Sequence, residues 1–156
     1  MSVNLIQNPG FESGVLSPWT PHAANVAEVV ASNADHQPAE GDYYLDLQTA
    51  VGNGGNTISQ TVTGLTPGTT YIVSVQTRTR GEGAANYCGT SIYAGNNATA
   101  GSIASEWDTP NEWWTLGGEY VAKTTSETVS IVGGCTFSGS SYTGHVLFDE
   151  VVFQEA

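Results

Sequence analysis

Basic residues are nearly absent from this sequence. Its 156 residues include only 3 Lys and Arg against 15 Asp and Glu, which gives a formal net charge of −12. Binding to phosphates needs clustered Lys and Arg, so we expect no nucleic-acid partner. The same shortage of cations argues against an anionic membrane surface as a partner.

Long apolar runs are also missing. No stretch approaches the roughly 18 apolar residues that indicate a transmembrane helix. The first residues, Met1 to Asn4, have neither the basic region nor the apolar region of a signal peptide. Charged residues make up only 12% of the chain, and Thr, Ser, Gly and Asn are abundant, which is typical of extracellular β proteins. We therefore expect a mature domain of a secreted, extracellular protein, with the signal peptide absent from this sequence.

Apolar and polar residues alternate with a period of two through most of the chain. The clearest example is residues 71–80, where Tyr71, Val73 and Val75 share one face. Turn-forming residues separate seven such segments, which are 43–48, 58–62, 71–80, 87–94, 113–122, 128–133 and 145–153. No window supports an amphipathic helix, so the sequence predicts an all-β fold, an antiparallel β-sandwich of jelly-roll type. Without an internal repeat or a linker, residues 1–156 are expected to form a single domain.

The two cysteines fall on the apolar faces of their predicted strands. Cys88 shares its face with Ile92, and Cys135 shares its face with Ile131. This placement favours a disulfide inside the sandwich. Two free buried thiols are the alternative, because free cysteine is among the most buried residue types.

Several short motifs occur along the chain in a fixed order. They are Asn4–Gly14 with Trp19, Leu65–Tyr71, Trp114–Leu116 and Leu147–Val151. In this order they resemble the carbohydrate-binding modules of families 4, 9 and 22, and the two cysteines with the Thr-, Ser- and Gly-rich composition are similar to fungal versions. The resemblance implies a jelly roll of galactose-binding-like topology, with a sugar-binding surface on one sheet or at the loop edge.

The resemblance also implies a structural Ca²⁺. In such modules a carboxylate after the first strand and one in the last strand hold the ion with backbone carbonyls, and these carboxylates correspond to Glu12 and Asp149, with Asp42 as a further candidate ligand. Ca²⁺ takes roughly six to eight oxygen ligands and accepts this mixture. The inward phase of the last strand slips at Asp149 and Glu150, which predicts a β-bulge that re-aims a carboxylate. The alternative is that Glu12 and Asp149 are ordinary solvated turn residues.

Sugar binding needs flat aromatic faces together with fixed polar groups. Outward positions of the predicted strands and one polar loop supply both, and we expect them to line one shallow groove. The candidate carbohydrate-binding residues are Trp107, Trp113, Tyr87, Tyr93, Gln76, Arg78, Arg80, Tyr44 and Gln48. Edge protection of a sheet is the alternative for the two arginines, and ordinary loop packing is the alternative for the two tryptophans. Trp19 and Trp114 are expected to be structural.

Signatures of catalysis are missing from the sequence. We find no Ser-His-Asp or Gly-x-Ser-x-Gly pattern, no metal-ligand spacing among His22, His36 and His145, and no two acids placed as a glycosidase pair. The sequence therefore predicts a non-catalytic module that binds a neutral polysaccharide or oligosaccharide, such as β-glucan, xylan or a chitin-like chain. We expect it to be attached to a larger secreted enzyme or cell-wall protein. A free-standing lectin-like or cell-wall adhesive domain and a structural β-sandwich without a ligand are the alternatives.

Overall fold

Two antiparallel sheets make up the fold. The computed structural model describes residues 3–50, 55–80, 85–95, 101–138 and 143–156, with only the backbone of residues 85 and 86. The described residues form ten strands, which are β1 (Thr20–Pro21), β2 (Ala27–Ala31), β3 (Tyr43–Gln48), β4 (Gly55–Thr63), β5 (Thr70–Thr79), β6 (Ala85–Ala94), β7 (Ala104–Glu106), β8 (Trp114–Val121), β9 (Ser126–Phe137) and β10 (His145–Glu155). Sheet I has the order β1-β4-β9-β6-β7, and sheet II has the order β2-β3-β10-β5-β8. The predicted antiparallel β-sandwich is therefore confirmed.

The core lies between the two sheets and follows the alternation of the sequence. Along β5, the side chains of Tyr71, Val73 and Val75 are buried, while the residues between them are half-buried on the outer face. The three strands that the sequence did not predict are β1, β2 and β7, which have 2, 5 and 3 residues. β1 and β7 are too short to form a pattern, and in β2 the adjacent Val29 and Val30 break the alternation. The described residues include no helix with the length and apolar character needed to cross a membrane.

A disulfide joins the neighbouring strands β6 and β9 of sheet I. Cys88 on β6 lies directly opposite Cys135 on β9, and their sulfur atoms are 2.01 Å apart. The predicted pairing is confirmed, and the bridge lies within one sheet rather than between the two. A Cβ atom on Gly144 would come within 2.5 Å of the Cys135 sulfur, so the absence of a side chain at this position makes room for the bridge.

The N-terminal motif packs onto the last strand. The amide of Leu5 donates to the carbonyl of Phe153 over 2.8 Å, although residues 4–6 form no strand of their own. Phe11 is fully buried and its ring centroid lies 6.1 Å from that of Trp19, whose indole nitrogen donates to the carbonyl of Asn8. Trp19 is therefore structural, as the sequence predicts, and Phe11 packs with it in the core.

A β-bulge interrupts β10 where the sequence predicts one. The register between β10 and β5 shifts between Asp149 and Val152. Glu150 adopts a φ of 47°, a left-handed conformation that is uncommon for a residue with a side chain. The bulge turns the carboxylates of Asp149 and Glu150 toward the N-terminal motif and the loop before β3.

Candidate functional site

The loop between β2 and β3, residues 32–42, crosses the outer face of sheet II. The Nε2 atom of His36 lies 2.7 Å from the carbonyl oxygen of Arg80, at the end of β5. The indole nitrogen of Trp113 donates to the carbonyl of Gln37 over 2.8 Å. Because these bonds lie on the far side of the sheet from β2, the loop is fixed across the face.

Beneath this loop, outward-facing side chains are buried. Tyr44 on β3 is 3% exposed and Leu147 on β10 is 0% exposed, although alternation turns both away from the main core. The rings of Tyr44 and Trp113 meet edge to face, with their centroids 6.3 Å apart. The Nδ2 atom of Asn33 donates to the hydroxyl of Tyr44 over 3.2 Å. The loop and Trp113 therefore add a second, small apolar layer outside sheet II.

Two clefts open on either side of the loop. The first, cleft 1, has a volume of about 320 Å³ and is lined by Glu28, Val30, Asn33, Asp35, His36, Tyr44, Asp46 and Arg80. The second, cleft 2, has a volume of about 460 Å³ and is lined by Ala39, Glu40, Gln76, Trp113 and Glu150. Each cleft combines an aromatic ring with polar side chains.

A charged network stands on the floor of cleft 1. Asp46 accepts a hydrogen bond from the Nη1 atom of Arg80 over 3.1 Å, and its other oxygen lies 2.7 Å from the Nδ1 atom of His145. The carboxylate thus holds the guanidinium in one orientation at the edge of the cleft. Asp46, His36 and His145 were not among the predicted binding residues. The sequence did contain a signal for Asp46, because this residue takes an outward position on the same strand as the predicted binding residues Tyr44 and Gln48.

The remaining predicted residues of sheet II have different surroundings. Arg78 donates through its Nη2 atom to Asn111 over 3.1 Å, so its guanidinium fixes the loop before β8. The Nε2 atom of Gln76 donates to the hydroxyl of Thr115 over 2.5 Å at the side of cleft 2. Gln48 ends β3 and faces outward beyond Asp46.

The other three predicted residues lie on the opposite side of the molecule. Tyr87 and Tyr93 are on β6, and Trp107 follows β7, so all three belong to the outer face of sheet I. The single groove expected from the sequence is therefore wrong. The alternation of residues along a strand shows which side chains face outward. It does not show which of the two sheets the strand joins.

A cluster of acids surrounds the bulge in β10. Asp149 is 0% exposed, and its two oxygens accept hydrogen bonds from the backbone amides of Glu40 (3.1 Å) and Glu150 (2.9 Å). Burial raises the pKa of Asp149 to about 7; the two backbone hydrogen bonds lower the pKa in part, while the charges of Glu150 and Glu12 raise it further. Burial also raises the pKa of Glu150, and the charges of Glu40 and Glu12 add to this shift.

Two glycines leave room for these carboxylates. A Cβ atom on Gly41 would lie 1.3 Å from an oxygen of Glu12, and one on Gly10 would lie 2.6 Å from an oxygen of Glu150. Glu12 in turn accepts a hydrogen bond from the backbone amide of Asp42 over 2.7 Å. The N-terminal motif, the loop before β3 and the last strand therefore meet at this cluster.

A sequence comparison identifies the family of the chain. The family model described as a carbohydrate binding domain, of the family 4 and 9 type, matches residues 3–132. The chain belongs to this family. The resemblance drawn from the motifs is thereby confirmed, and no curated protein matches the chain significantly in sequence.

Solved structures of carbohydrate-binding modules share the fold of this domain. The module TmCBM61, in complex with β-1,4-galactotriose, has a TM-score of 0.69 at 19% identity, with 99% of each chain covered. The xylan-binding domain CBM22-1 of Paenibacillus barcinonensis Xyn10C has a TM-score of 0.64 at 17% identity, covering 99% of this chain and 92% of that one. The CBM22-1 and GH10 modules of Clostridium thermocellum Xyn10B, complexed with xylohexaose, give 0.65 at 17% identity, with 100% of this chain matched to 29% of that chain.

The acid cluster of this carbohydrate-binding domain has the chemistry of a site for a hard cation. Its donors are all oxygens, and no Lys, Arg or His in the described part of the chain forms an ion pair with Asp149, Glu150 or Glu12. The cluster is not a complete cage, because the described residues contain no group of three or more His, Cys, Asp or Glu side chains arranged to hold a metal. A bound ion would need backbone carbonyls as further ligands. Of the predicted ligands, Glu12 and Asp149 lie at the cluster, and Asp42 contributes its backbone amide.

Proposed function

We propose that this domain is a non-catalytic module that binds a neutral polysaccharide through cleft 1 on the outer face of sheet II. The observation that carries the proposal is the ion pair of Asp46 and Arg80, which fixes charged donor and acceptor groups in a cleft whose wall includes the buried side chain of Tyr44. Fixed polar groups of this kind form hydrogen bonds with the hydroxyl groups on the rim of a sugar ring.

The charge of the cleft supports a neutral ligand. Three carboxylates, those of Glu28, Asp35 and Asp46, line cleft 1, and the guanidinium of Arg80 is already paired with one of them. A polyanion would meet net repulsion there, and the net charge of −12 adds to it. Among the modules with this fold, one is in complex with β-1,4-galactotriose and another with xylohexaose, which are uncharged chains. We therefore propose a neutral chain of the xylan, β-glucan or chitin-like class as the ligand.

The absence of catalysis is part of the proposal. Both oxygens of Asp46 are engaged, one by Arg80 and one by His145. The carboxylate of Asp46 therefore serves to position Arg80 at the cleft. The chain matches 29% of the Clostridium thermocellum chain, so we infer that the domain serves a larger extracellular carbohydrate-active protein.

We propose that the acid cluster holds Ca²⁺ through Glu12, Asp149 and Glu150, with backbone carbonyls completing the set. When bound, the ion supplies positive charge to carboxylates that otherwise repel one another. Glu12 belongs to the N-terminal motif and Asp149 to β10, so these residues then tie the two ends of the fold together. The burial of Asp149, with no cationic side chain paired to it among the described residues, supports this role.

Affinity electrophoresis and isothermal titration calorimetry with xylan, β-glucan, galactan and chitin oligosaccharides test the binding proposal. Arg80→Ala removes a charge-assisted donor, and we expect at least about tenfold weaker binding. Lys123→Ala, which removes a cation after β8, is the control and should bind like the wild type. Equal binding by Arg80→Ala and the wild type would exclude cleft 1, and no binding by the wild type to any chain, with calcium present, would exclude the function.

A further inference from the structure

Strand β8 is the longest of the four strands that end the two sheets. It has 8 residues, whereas β1, β2 and β7 have 2, 5 and 3. Proteins usually protect a long edge with proline, lysine or a bulge, because free backbone groups there pair with other chains. β8 contains neither proline nor lysine, and its register with β5 runs without a shift from Trp114 to Val121. The usual protection is therefore absent from β8.

The hydrogen-bond pattern shows which backbone groups of β8 point away from the sheet. The amide of Ala122 donates to the carbonyl of Thr69 over 3.0 Å, which makes these two residues a hydrogen-bonded pair. Such pairs alternate along an antiparallel ladder, so every second residue of β8 turns its N–H and C=O groups away from β5. These edge residues are Thr115, Gly117, Glu119 and Val121. In the described part of the chain, no backbone group pairs with them on that side.

Two glycines keep the middle of this edge flat. A Cβ atom on Gly117 would lie 2.7 Å from the Cβ atom of Ser74, and one on Gly118 would lie 2.7 Å from the carbonyl oxygen of Ile103. Neither position accepts a side chain unless its neighbours move. A strand added beside β8 therefore meets no side chain of β8 on either face at the centre of the edge.

A third cleft, cleft 3, opens beside the end of β8. It has a volume of about 280 Å³, and its walls include Glu119, Tyr120 and Val121 of β8. Side chains of consecutive strand residues point to opposite faces, so a cleft that contacts all three borders the edge of the strand. Ala94 at the end of β6 and Ile103 before β7 line its other side. The cleft therefore has room for an apolar side chain of an added strand.

The charges along the edge define the partner. Glu119 and Lys123 are exposed and share the outward parity of Val121. In an antiparallel arrangement the added strand passes Lys123 first, then Val121 and then Glu119, and unlike charges directly opposite each other attract. The complementary segment thus carries an acidic residue, an apolar residue two positions later and a basic residue two positions after that. A second copy of this chain is a poor partner, because each copy has a net charge of −12.

We propose that the edge of β8 binds an extended segment of a partner protein, which adds to sheet II as a further strand. Backbone hydrogen bonds to the four edge residues supply the binding, and cleft 3 with Glu119 and Lys123 selects a segment with the order acidic, apolar, basic. Because β2 and β3, which line cleft 1, lie on the other side of sheet II, the inference does not depend on carbohydrate binding.

Amide hydrogen exchange, followed by NMR, tests the proposal with a synthetic decapeptide. The peptide carries Glu at its second position, Val at its fourth and fifth, Lys at its sixth and Thr elsewhere. In the domain alone, the amides of the four edge residues should exchange rapidly, while those of Leu116, Gly118 and Tyr120 are protected by β5. Saturating peptide should slow exchange at the edge residues by at least about tenfold, so that protection is gained at alternate positions.

Charge reversal identifies the site. A second decapeptide has Glu in place of the Lys, and NMR titration compares the two. The wild type should bind the first peptide about fivefold more tightly than the second, and Glu119→Lys should reverse this preference. Glu28→Lys makes the same charge change on β2, at the other edge of sheet II, and should keep the preference of the wild type.

Several results would overturn the inference. Slow exchange of the edge residues in the domain alone would mean that its own chain or a second copy already covers the edge. A reversed preference in Glu28→Lys but not in Glu119→Lys would place the peptide on β2. Equal preferences in the two variants, or protection that does not alternate, would mean that the acidic domain attracts the peptide without strand addition. No gain of protection with the first peptide would exclude strand addition at β8.

Discussion

The buried carboxyl of Asp149 makes the stability of the calcium-free domain depend on pH. Its pKa is raised from 3.8 to about 7 in the folded state, so the folded state holds the proton more tightly than the unfolded state. The resulting stabilisation is complete below the unfolded pKa and is lost as pH rises through about 7. At about 1.4 kcal/mol per unit of pKa, the full effect is about 4 kcal/mol, of which about 2 kcal/mol falls between about pH 5.5 and about pH 8.

Urea denaturation in the presence of a chelator measures this effect. The variant Asp149→Asn keeps the three histidines and the other acids but has no proton to lose at this site. The asparagine side chain must turn an N–H group toward the backbone amide of Glu40 or Glu150. This mismatch changes the unfolding free energy of the variant by the same amount at every pH, so it does not affect how that free energy varies with pH. We expect the unfolding free energy of the wild type to fall by about 2 kcal/mol more than that of the variant between about pH 5.5 and about pH 8.

Calcium provides the second half of this test. At about pH 8, addition of Ca²⁺ should raise the unfolding free energy of the wild type, because a cation offsets the cost of the buried charge. The same addition should stabilise Asp149→Asn much less. Parallel pH profiles of the two proteins would refute the assignment of the titration to Asp149, and equal stabilisation by calcium would place the ion elsewhere.

Two further predictions concern stability. In urea denaturation, Gly41→Ala should lower the unfolding free energy by about 1–3 kcal/mol more than Gly64→Ala. Both positions have a positive φ, but only at Gly41 would the new Cβ atom collide with the side chain of Glu12. Equal losses in the two variants would mean that Glu12 moves freely. Replacement of Cys88 and Cys135 by Ser should cost about 2–5 kcal/mol, since the bridge closes a loop across 47 residues, and an unchanged melting temperature would contradict this.

Local patterning made much of the fold predictable. Alternation over 6 to 12 residues located the long strands and their inward faces, because it depends only on neighbouring residues. The partners of a strand depend on distant residues, and this is why Tyr87 and Arg78 were assigned to one groove although β6 and β5 belong to different sheets. For the same reason, the sequence alone left open whether the two cysteines pair, and only the register of β6 and β9 decided it.

The candidate site was less predictable than the strands. Parity places Tyr44 on the outer face, and the crossing loop that buries it has no periodic signal. The family resemblance brought Glu12 and Asp149 together, but Glu40 and Glu150 join them only through the loop and the positive φ of the bulge. The positions of Glu40 and Glu150 in the cluster depend on the path of the backbone, which residue type alone does not predict.

The crossing loop, residues 32–42, gives this fold a way to change its ligand. It supplies Asn33 and His36 to cleft 1 and Ala39 and Glu40 to cleft 2, so one short segment shapes both walls. A substitution or insertion there alters the two clefts together, while the sandwich core between the sheets stays intact. Because surface loops tolerate changes far better than packed strands, positions of this segment other than Glu40 and Gly41 can change at little cost to folding.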